Sequence, residues 1–555
     1  MFGLKKMQFS RNFYEQCQDT FGGMDRRAAA RDGAIADLLN MTADRYPALT
    51  TRPRRKMLNT PVTKPNGFLA RDCLAWVDGT QLVVDGAVVA ELTDSQKLMV
   101  GIQSRIVIWP DKVAYDRETG ELSQLEAVWE GEGTFQDGTY AGEPALANTI
   151  KVAADLTGIF RAGDGVVVTP GVGGVEGETM GAYVIQEIEY DAQTGKTELR
   201  FLEETWREFV TETDSTGGED GVVGFPGVGT QIGIRIQRRA PELQGVFEHH
   251  NRLWGWNGGT VLCSKLGDPT NWESFNGDAT DSWELVTGSP GDITGGISYG
   301  GRPVFFKENR IIRIYGDYPG QFSTSESESL GVEKGSGRSL AIAGDTLFYK
   351  SPAGFMAYAG GYPYPVGEEL GEERYTNAVA GSDGVSYFVS VDREGAEPQI
   401  LCYHTRHRAW HWEDGLKLVG MGWHGDLYAL TAIGFVLTLG RCRGDSPNEE
   451  AIETRVEFAD FYEGTTRKKV PGRLVLRLEA GEHTRLKILI RYDSRGDWIL
   501  VRELTGELIK GQEEIVIPLR RCDHYRVRID GRGEFGDAWT LHALTRERCV
   551  GSNRK

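Results

Sequence analysis

The sequence lacks long apolar runs and paired cysteine motifs, and each absence removes a class of protein. No stretch of about 18 consecutive apolar residues occurs, so no membrane-spanning helix is predicted. The 7 cysteines are scattered, odd in number and without a CxxC pair. This pattern argues against a disulfide framework or a zinc site and is typical of free thiols in a reducing cytoplasm.

Motifs for catalysis and phosphate binding are also missing. The Gly-x-Ser-x-Gly string at 296–300 has no helical pattern after it, as a nucleophile elbow requires, and no glycine-rich loop ends in the Gly-Lys-Ser/Thr of a P-loop. The repeated Ser-x-Asp-x-Gly-x-Thr-Trp turns of sialidase-type propellers are absent as well. We therefore predict that the chain is not an enzyme, has no catalytic residues and uses no cofactor.

Histidines are few, but some lie close together in the sequence. The first candidates for metal ligands are His404, His407, His411 and His424. A metal site needs further ligands in suitable geometry, and the tryptophans between these histidines indicate a packed pair of strands instead. We predict no metal site.

The charge balance is acidic, with 62 basic against 80 acidic residues and a net charge of −18. Such a surface repels nucleic acid as a whole, which argues against a protein that grips DNA along its length. A protein lining a passage through which DNA slides without sticking remains compatible with this charge.

Glycine is abundant, with 72 residues among 555 and no collagen-like period. This amount indicates many tight turns between short strands, so we predict an all-β fold. A chain of this length is expected to form about two to four domains.

Short apolar runs separated by Asp-Gly, Gly or Asn turns begin near residue 61 and return after residue 240. They pair into a loose repeat of about 40–50 residues, the length of a four-stranded propeller blade. We predict a β-propeller over residues 61–125 and 240–445. A series of β-sandwiches is the alternative.

Two further segments have a different pattern. Residues 126–239 alternate cleanly between apolar and polar and turn at Gly and Asp, which predicts a small β-barrel inserted into a propeller loop. Residues 446–555 contain longer alternating strands with charged residues opposite Val, Leu and Ile. They predict a C-terminal β-sandwich in which each sheet has one solvated face.

Residues 1–60 form the remaining segment. Apolar Ile35, Leu38 and Leu39 stand at helical spacing in an Ala- and Arg-rich stretch, which predicts one short helix between Asp25 and Met41. The X-Pro steps that follow push the preceding residues out of the helical region. We predict an extended N-terminal arm with a short helix, suited to reach a neighbouring subunit.

Two basic clusters stand out against the acidic background. A few Lys or Arg side chains supply sequence-independent contact with phosphate, and they suit an acidic neighbouring subunit equally well. The predicted subunit-interface or DNA-contact residues are Arg52, Arg54, Arg55, Lys56, Arg467, Lys468 and Lys469.

An ordered series of short motifs resembles phage tail nozzle proteins, also called tail tubular protein B. The series comprises FGGMD at 21–25, LNMT at 39–42, YPAL at 46–49 and RPRR at 52–55, where the family has Arg-Pro-Gly. The strand that begins NRL at 251–253 then leads into LGDPTNW at 266–272, followed by RPVFFK at 302–307. The resemblance extends from about residue 21 to residue 366.

This resemblance implies a hexameric ring in a phage tail, with DNA passing through its lumen. It implies adaptor or portal-side tail proteins as neighbours, fibres or a needle outside, and transient contact with phage DNA. The expected location is the virion, after assembly in the host cytoplasm.

Two other functions remain open. A host-attachment protein that binds cell-surface sugars would explain aromatic residues near turns, such as Trp254, Trp256 and Trp283, although core packing explains them equally well. A cell-wall hydrolase is the third hypothesis for the function.

Overall fold

The computed structural model describes residues 13–28, 30–140, 143–170, 181–201, 231–441, 447–465, 467–509, 511–518 and 520–549. Within these ranges lie 44 strands and single-turn 3-10 helices at Pro319–Gln321, Gly337–Ser339, Glu368–Leu370 and Gly506–Leu508. These ranges contain no α-helix, and none of their helices is long and apolar enough to cross a membrane. The prediction of an all-β fold is confirmed.

The chain divides into two compact units, which are described separately. Unit 1 comprises Met1–Gly79, Val84–Gly86 and Leu330–Lys555, and unit 2 comprises Thr80–Val83 and Ala87–Ser329. Strands are numbered from the N-terminus. The first four are β1 (Phe13–Gln18), β2 (Ile35–Leu39), β3 (Met41–Thr42) and β4 (Leu49–Thr51).

Small antiparallel meanders with the form of propeller blades follow. Asp85 and Gly86 show how the sequence makes them, because both have positive φ (50° and 87°), the backbone that a two-residue Asp-Gly hairpin requires. The first blade is β5–β8 (Pro65–Ala70, Leu74–Asp78, Gln81–Val84, Ala87–Glu91), and the second is β9–β12 (Leu98–Ile102, Arg105–Trp109, Val113–Asp116, Leu122–Gln124).

A closed barrel is inserted after the second blade, in unit 2. Its strands are β13–β18 (Ala127–Tyr140, Glu143–Val152, Gly165–Pro170, Gly181–Asp191, Lys196–Phe201, Gln231–Arg238), in the spatial order β13-β14-β17-β16-β15-β18. Apolar side chains from alternate positions, among them Ile150, Val166 and Ile234, fill its interior. The prediction of an inserted barrel is confirmed.

Five more blades follow the barrel in the chain. They are β19–β22 (Gly245–His249, Arg252–Asn257, Thr260–Cys263, Trp283–Val286), β23–β26 (Gly295–Tyr299, Arg302–Lys307, Arg310–Tyr315, Ser323–Glu328), β27–β30 (Ala341–Ala343, Thr346–Ser351, Gly354–Tyr358, Tyr364–Pro365), β31–β34 (Tyr375–Ser382, Ser386–Arg393, Ala396–His404, Ala409–Glu413) and the three-stranded β35–β37 (Leu418–His424, Asp426–Thr431, Val436–Leu439). In unit 2, β19 lies between β9 and β23, and in unit 1, β31 lies between β27 and β35. First strands of successive blades are therefore neighbours, as in a propeller, which confirms that prediction.

The C-terminal strands form a sandwich within unit 1. They are β38–β44 (Ala451–Phe458, Val470–Ala480, Thr484–Tyr492, Ile499–Thr505, Gln512–Val516, Tyr525–Glu534, Trp539–Cys549). One sheet has the order β3-β4-β44-β39-β42, with β1 also on β44, and the other continues from β34 through β2 to β38, β43, β40 and β41. Their apolar faces share one core. The predicted sandwich is confirmed, and N-terminal strands complete both of its sheets.

The predicted helix between Asp25 and Met41 is wrong. Residues 35–39 form β2, which pairs with β38 and contains a register shift between Ile35 and Asp37. Such a bulge adds one residue to the alternation, so Ile35 and Leu38, three positions apart, both reach the core. The spacing that indicated a helix comes from a bulged strand.

The predicted extended arm is also different in the structure. Phe21, Met24, Met41 and Leu49 are almost completely buried in the core of unit 1. The segment forms no separate hydrophobic core among its described residues, because its apolar side chains complete the core made by later strands. Its described residues are therefore part of unit 1.

Candidate functional site: the basic loop end of the C-terminal sandwich

Three loops meet at one end of the sandwich: residues 459–469 between β38 and β39, 493–498 between β40 and β41, and 517–524 between β42 and β43. Antiparallel pairing brings them together, since Tyr525 at the start of β43 pairs with Tyr492 at the end of β40 and also bridges to Phe461. We call the exposed basic residues of these loops the basic loop end: Arg467, Lys468, Arg495, Arg520 and Arg521.

Backbone hydrogen bonds hold the loops to one another. The N–H of Asp493 donates to the carbonyl of His524 (3.0 Å), and the N–H of Asp523 donates to Oδ1 of Asp493 (2.7 Å). Lys469 and Cys522 exchange a pair of backbone hydrogen bonds at 2.7 and 2.9 Å. The loops therefore present their outer side chains from a fixed backbone.

A polar group lies beneath the basic loop end and resembles a Ser-His-Asp triad at first sight. His524 places Nε2 3.0 Å from Oγ of Ser494 and Nδ1 3.3 Å from Oδ1 of Asp523. The Ser494 hydroxyl, however, donates to Oδ1 of Asp460 at 2.9 Å. Burial raises the pKa of Asp460, but hydrogen bonds from Arg526 and Ser494 outweigh this effect and lower the pKa below its usual value. We assign this group to holding the loops.

Two sets of described residues place potential ligand atoms within 4.8 Å of one another: Asp493, Asp523 and His524, and the buried Cys402, His411 and Glu413. The side chains of the first set already bind one another and the adjacent loop. In the second set, Oε2 of Glu413 lies 2.6 Å from Nη2 of Arg55. We assign no ion to either set.

The basic side chains of the loop end share their loops with Asp493, Asp497 and Asp523, so their charges are partly compensated. All five side chains are exposed, and none forms an ion pair with a described residue. The guanidinium of Arg520 stacks over Tyr492, 5.3 Å from the ring centre, which leaves its polar edges available. The site can therefore attract a polyanion or an acidic protein surface.

Of the predicted cluster at 467–469, two residues belong to the basic loop end and one does not. Arg467 and Lys468 are exposed there. Lys469 is buried, and its Nζ donates to the carbonyl of Thr465 at 3.0 Å and to that of Asp523. Lys469 therefore joins the loops and offers no charge to a partner.

The other predicted cluster lies elsewhere and is largely internal. Arg52 forms two hydrogen bonds of 2.7 Å with the carboxylate of Glu449, and Arg55 pairs with Glu413 and Asp414. Both arginines are buried. Neither guanidinium is therefore free to make the predicted contact with DNA or another subunit.

The neighbours of these arginines belong to the same internal network. Nε of Arg54 donates to the carbonyl of Glu449 (2.7 Å), and Lys56 is half-buried. Although burial raises the pKa of Glu413, the charge of Arg55 and a hydrogen bond from His411 hold it far below its usual range. This network fixes the N-terminal segment to β34.

Sequence reasoning missed Arg495, Arg520 and Arg521. Each is separated from the 467–469 cluster by an entire strand or more, and only the antiparallel return of β40 and β43 brings them together. The adjacent pair at 520–521 and the turn string DSRGD around Arg495 were the available signals. A search for basic residues in turns at the same end of predicted hairpins would have found them.

Two open clefts also lie in unit 1. The first, about 590 Å³, is lined by polar groups that include Arg31, His407 and the buried Arg546, whose Nε and Nη1 have no hydrogen-bond partner among the residues that the structure describes. The second, about 730 Å³, is bordered by Lys350, Tyr375 and other residues around β29 and β31.

Comparison with known proteins gives fold likeness at very low identity. No family model matches the chain, and no curated protein matches it. Similar solved structures include an exo-β-1,3-galactanase from Phanerochaete chrysosporium (8% identity, 54% of this chain and 95% of that chain, TM-score 0.21) and a glycoside hydrolase family 43 arabinoxylan arabinofuranohydrolase from Bacillus subtilis (11%, 53% and 75%, 0.17). The N-terminal domain of Nup159 is a third (7%, 76% and 100%, 0.22).

The prediction that the chain is not an enzyme is corrected by these matches. Two of the three structures named above are glycoside hydrolases, so the missing motifs do not exclude an enzyme. At TM-scores near 0.2 the likeness assigns neither an activity nor a substrate to this chain.

Proposed function

We propose that the chain is a structural protein of a bacteriophage tail, of the nozzle type, which assembles as a ring through which DNA passes. One observation carries this proposal: the FGGMD, LNMT, RPRR and LGDPTNW motifs of the resemblance occupy positions that join parts of the fold, whereas NRL and RPVFFK lie in the blade strands β20 and β24. A chance match would have no reason to coincide with these junctions.

The LGDPTNW motif joins the barrel to a blade in unit 2. Nδ2 of Asn271 donates to the carbonyl of Gly163 (2.6 Å), and Oδ1 of Asn271 accepts from the N–H of Gly165 (3.2 Å). Asp268 pairs with Arg161 at 2.6 Å. Arg161 and Gly163 lie in the barrel loop before β15 and Gly165 is the first residue of β15, so the motif fixes the insertion to its blade.

The N-terminal motifs join the first described residues to the β31–β34 blade and the sandwich in unit 1. A Cβ atom at Gly23 would lie 2.2 Å from the backbone nitrogen of Trp410 in β34, so only glycine fits there. Asn40 has a positive φ of 54°, donates to the carbonyl of Glu453 (2.7 Å) and accepts from Arg52 (2.7 Å). These residues hold the sheet that runs from the blade into the sandwich.

The proposal extends to location and partners. It places the chain in the virion, among adaptor or portal-side proteins, with fibres or a needle outside and DNA passing through. An acidic chain suits a lumen from which DNA must be released.

Electron microscopy with class averaging of the purified chain, supported by its mass from light scattering, tests this function. The expected result is a closed ring with an axial passage wide enough for duplex DNA. A stable trimer without an axial passage would contradict it and favour host attachment.

Host attachment is a second candidate because of one surface feature. Tyr362 and Tyr364 are 80% and 50% exposed, and they flank the turn into β30 next to Pro365, which lines the larger cleft. Exposed rings beside a cleft suit a ligand with apolar faces, such as a sugar. Binding on a glycan array that is lost in Tyr362→Ala but retained in Tyr318→Ala, a tyrosine of unit 2, would support this candidate.

A further inference from the structure

The smaller of the two clefts in unit 1 has a buried guanidinium in its wall. Arg546 of β44 lines this cleft of about 590 Å³ and is 2% exposed. Its guanidinium carbon lies 3.9 Å from the ring centre of Phe461, and its Nε lies 3.6 Å from Oε1 of Glu463, beyond hydrogen-bond distance. Within the described ranges neither Nε nor Nη1 has an acceptor. Because a buried donor without an acceptor opposes folding, these atoms are suited to an oxygen supplied by a ligand.

An amide stands beside this guanidinium. In the pairing of β1 with β44, Gln16 lies directly opposite Arg546, so both side chains project from the same face of the sheet. Gln16 is exposed, and its amide forms no hydrogen bond with a described residue. Gln18, two positions further along the same face, donates from Nε2 to the carbonyl of Gly33 at 2.9 Å. This bond fixes β1 to the loop before β2, and with it the position of the amide.

An aromatic ring is part of the same lining. Tyr46 stacks on His407, with ring centres 4.5 Å apart and planes 13° from parallel. Both residues line the cleft, and Tyr46 is 45% exposed. The stack fixes the orientation of the tyrosine ring and leaves part of it in contact with solvent. Such a ring provides a flat surface for the apolar face of a ligand.

Gly22 leaves room in the cleft that the packing of the chain does not use. A Cβ atom at Gly22 would meet no atom within 4 Å, and its φ is outside the left-handed region. The adjacent Gly23 differs, because a Cβ atom there would lie 2.2 Å from the backbone nitrogen of Trp410. The space beside Gly22 is therefore open to a ligand.

The balanced charge of the lining argues against a site for a polyanion. Four arginines and four acids line the cleft: Arg27, Arg31, Arg408 and Arg546 with Asp19, Asp25, Asp32 and Glu369. Arg27 binds Asp25 at 2.8 Å, and Asp32 accepts the N–H of Tyr462 at 2.7 Å. The side chain of Glu369 accepts no hydrogen bond from a described residue, and Asp19 is exposed. The lining therefore offers acceptors for hydroxyl groups as well as donors for a carboxylate.

We infer that this cleft binds a saccharide that carries a carboxylate, such as a uronic acid. The carboxylate accepts hydrogen bonds from Arg546 and Gln16. The sugar ring lies against Tyr46, and its hydroxyl groups donate to Asp19 and Glu369. A free carboxylate would leave the ring and the acids unused, and a neutral sugar would leave Arg546 without an acceptor. The inference does not depend on whether the chain forms a ring.

Isothermal titration calorimetry of the full chain with D-glucuronate tests this inference. D-Glucose has the same ring without the carboxylate, and acetate has the carboxylate without the ring. We expect glucuronate to bind at least about tenfold more tightly than either, because each of the others lacks one set of contacts. No binding of glucuronate, or equal binding of either matched ligand, would overturn the inference.

A variant that fills the cleft provides the second measurement. Gly22→Leu should weaken glucuronate binding at least about tenfold and leave the melting temperature unchanged, because its Cβ meets no atom of the chain. The matched control is Gly288→Leu, at an exposed glycine of unit 2 where a Cβ also meets nothing within 4 Å. Arg546→Lys keeps the charge without the planar guanidinium and should weaken binding as well. Binding retained in Gly22→Leu, or weakened equally in Gly288→Leu, would contradict the site.

The outcomes are distinguishable from those of the proposed function. Rings with an axial passage that bind no glucuronate leave the nozzle proposal in place and overturn this inference. Glucuronate binding that is lost in Gly22→Leu supports the inference, even if the chain forms a trimer without a passage. Binding that is lost in Tyr362→Ala and retained in Gly22→Leu assigns the saccharide to the larger cleft and overturns the inference.

Discussion

The inserted barrel and the C-terminal sandwich are both all-β additions to propeller blades, and the sequence segments that contain them differ in charge. Residues 127–238 hold 7 basic and 19 acidic residues, whereas residues 451–549 hold 19 and 17. One buried ion pair lies within the barrel, Arg238 with Asp164. Another, which we call the sandwich anchor, joins Arg55 of the N-terminal segment to Glu413 of β34, beside the sandwich.

The sandwich also shows how charge can be neutralised locally. On the outer face of its larger sheet, Arg455 pairs with Asp530 (3.0 Å) and Arg526 with Asp460 (2.7 Å). Such pairs leave little charge for a partner on that face. The loops at the end of the sheet also contain Asp493, Asp497 and Asp523, but their five exposed basic residues form no ion pair with a described residue.

Removing one partner of the sandwich anchor should have the largest effect on stability. Arg55→Met leaves Glu413 buried without its guanidinium, which should lower the free energy of unfolding of unit 1 by about 3–5 kcal/mol. Urea unfolding followed by tryptophan fluorescence measures the loss, with exposed Arg477→Met as the control. A loss below about 1 kcal/mol would show that the anchor is not needed.

The same anchor predicts the pH dependence of unit 1. The folded pKa of Glu413 is far below its unfolded value, so its contribution is complete above the unfolded pKa and is lost as pH falls toward the folded pKa. Stability measured from pH 6 to pH 3 should fall with a slope that Glu413→Gln reduces. An unchanged slope in the variant would contradict this assignment.

The corresponding change in the barrel should have a smaller and more local effect. Asp164 is fully buried, pairs with Arg238 at 2.7 Å and accepts the N–H of Arg161. Asp164→Asn keeps the shape and removes the charge, and should cost about 2–3 kcal/mol. Faster hydrogen exchange is expected in β14 and β15 and not in β39 or β43. Equal acceleration in both parts would mean that the anchors are not independent.

A smaller effect of opposite sign is expected at Glu273 in unit 2. Burial raises the pKa of this carboxyl, and within the described ranges its Oε2 has no hydrogen-bond partner, so its ionised form opposes folding at neutral pH. Glu273→Gln should raise the melting temperature slightly at pH 7, and the gain should vanish as the pH falls below the raised pKa. A lower melting temperature at pH 7 would contradict the burial argument.

Reversing charge in the basic loop end should have the smallest effect on folding. Arg467→Glu/Lys468→Glu/Arg495→Glu alters exposed side chains without ion pairs, so unfolding should change by less than about 0.5 kcal/mol per residue. Circular dichroism melting checks this expectation. A large loss of melting temperature would show that these residues stabilise the fold. A change in self-association of the variant could then result from unfolding.

Alternation of apolar and polar residues was enough to predict blades, barrel and sandwich, because a strand with one buried face shows this pattern directly. It failed at Ile35 and Leu38, where a bulge gives helical spacing to a strand. The internal role of Arg52 and Arg55 could not be predicted, since Glu413 and Glu449 are more than 350 residues away in sequence. Of the basic loop end, Arg467 and Lys468 were predicted. Arg495, Arg520 and Arg521 were not, because they come from two other loops that are distant in the sequence.

The mass of the full chain in solution tests most directly whether charged contacts between copies drive assembly. It is measured by light scattering as salt is raised. The account predicts a multimer at low ionic strength that dissociates as salt screens the contact, and a smaller mass for the Arg467→Glu/Lys468→Glu/Arg495→Glu variant at every salt concentration. A multimer whose mass is unaffected by salt and by this variant, or a monomer throughout, would contradict it.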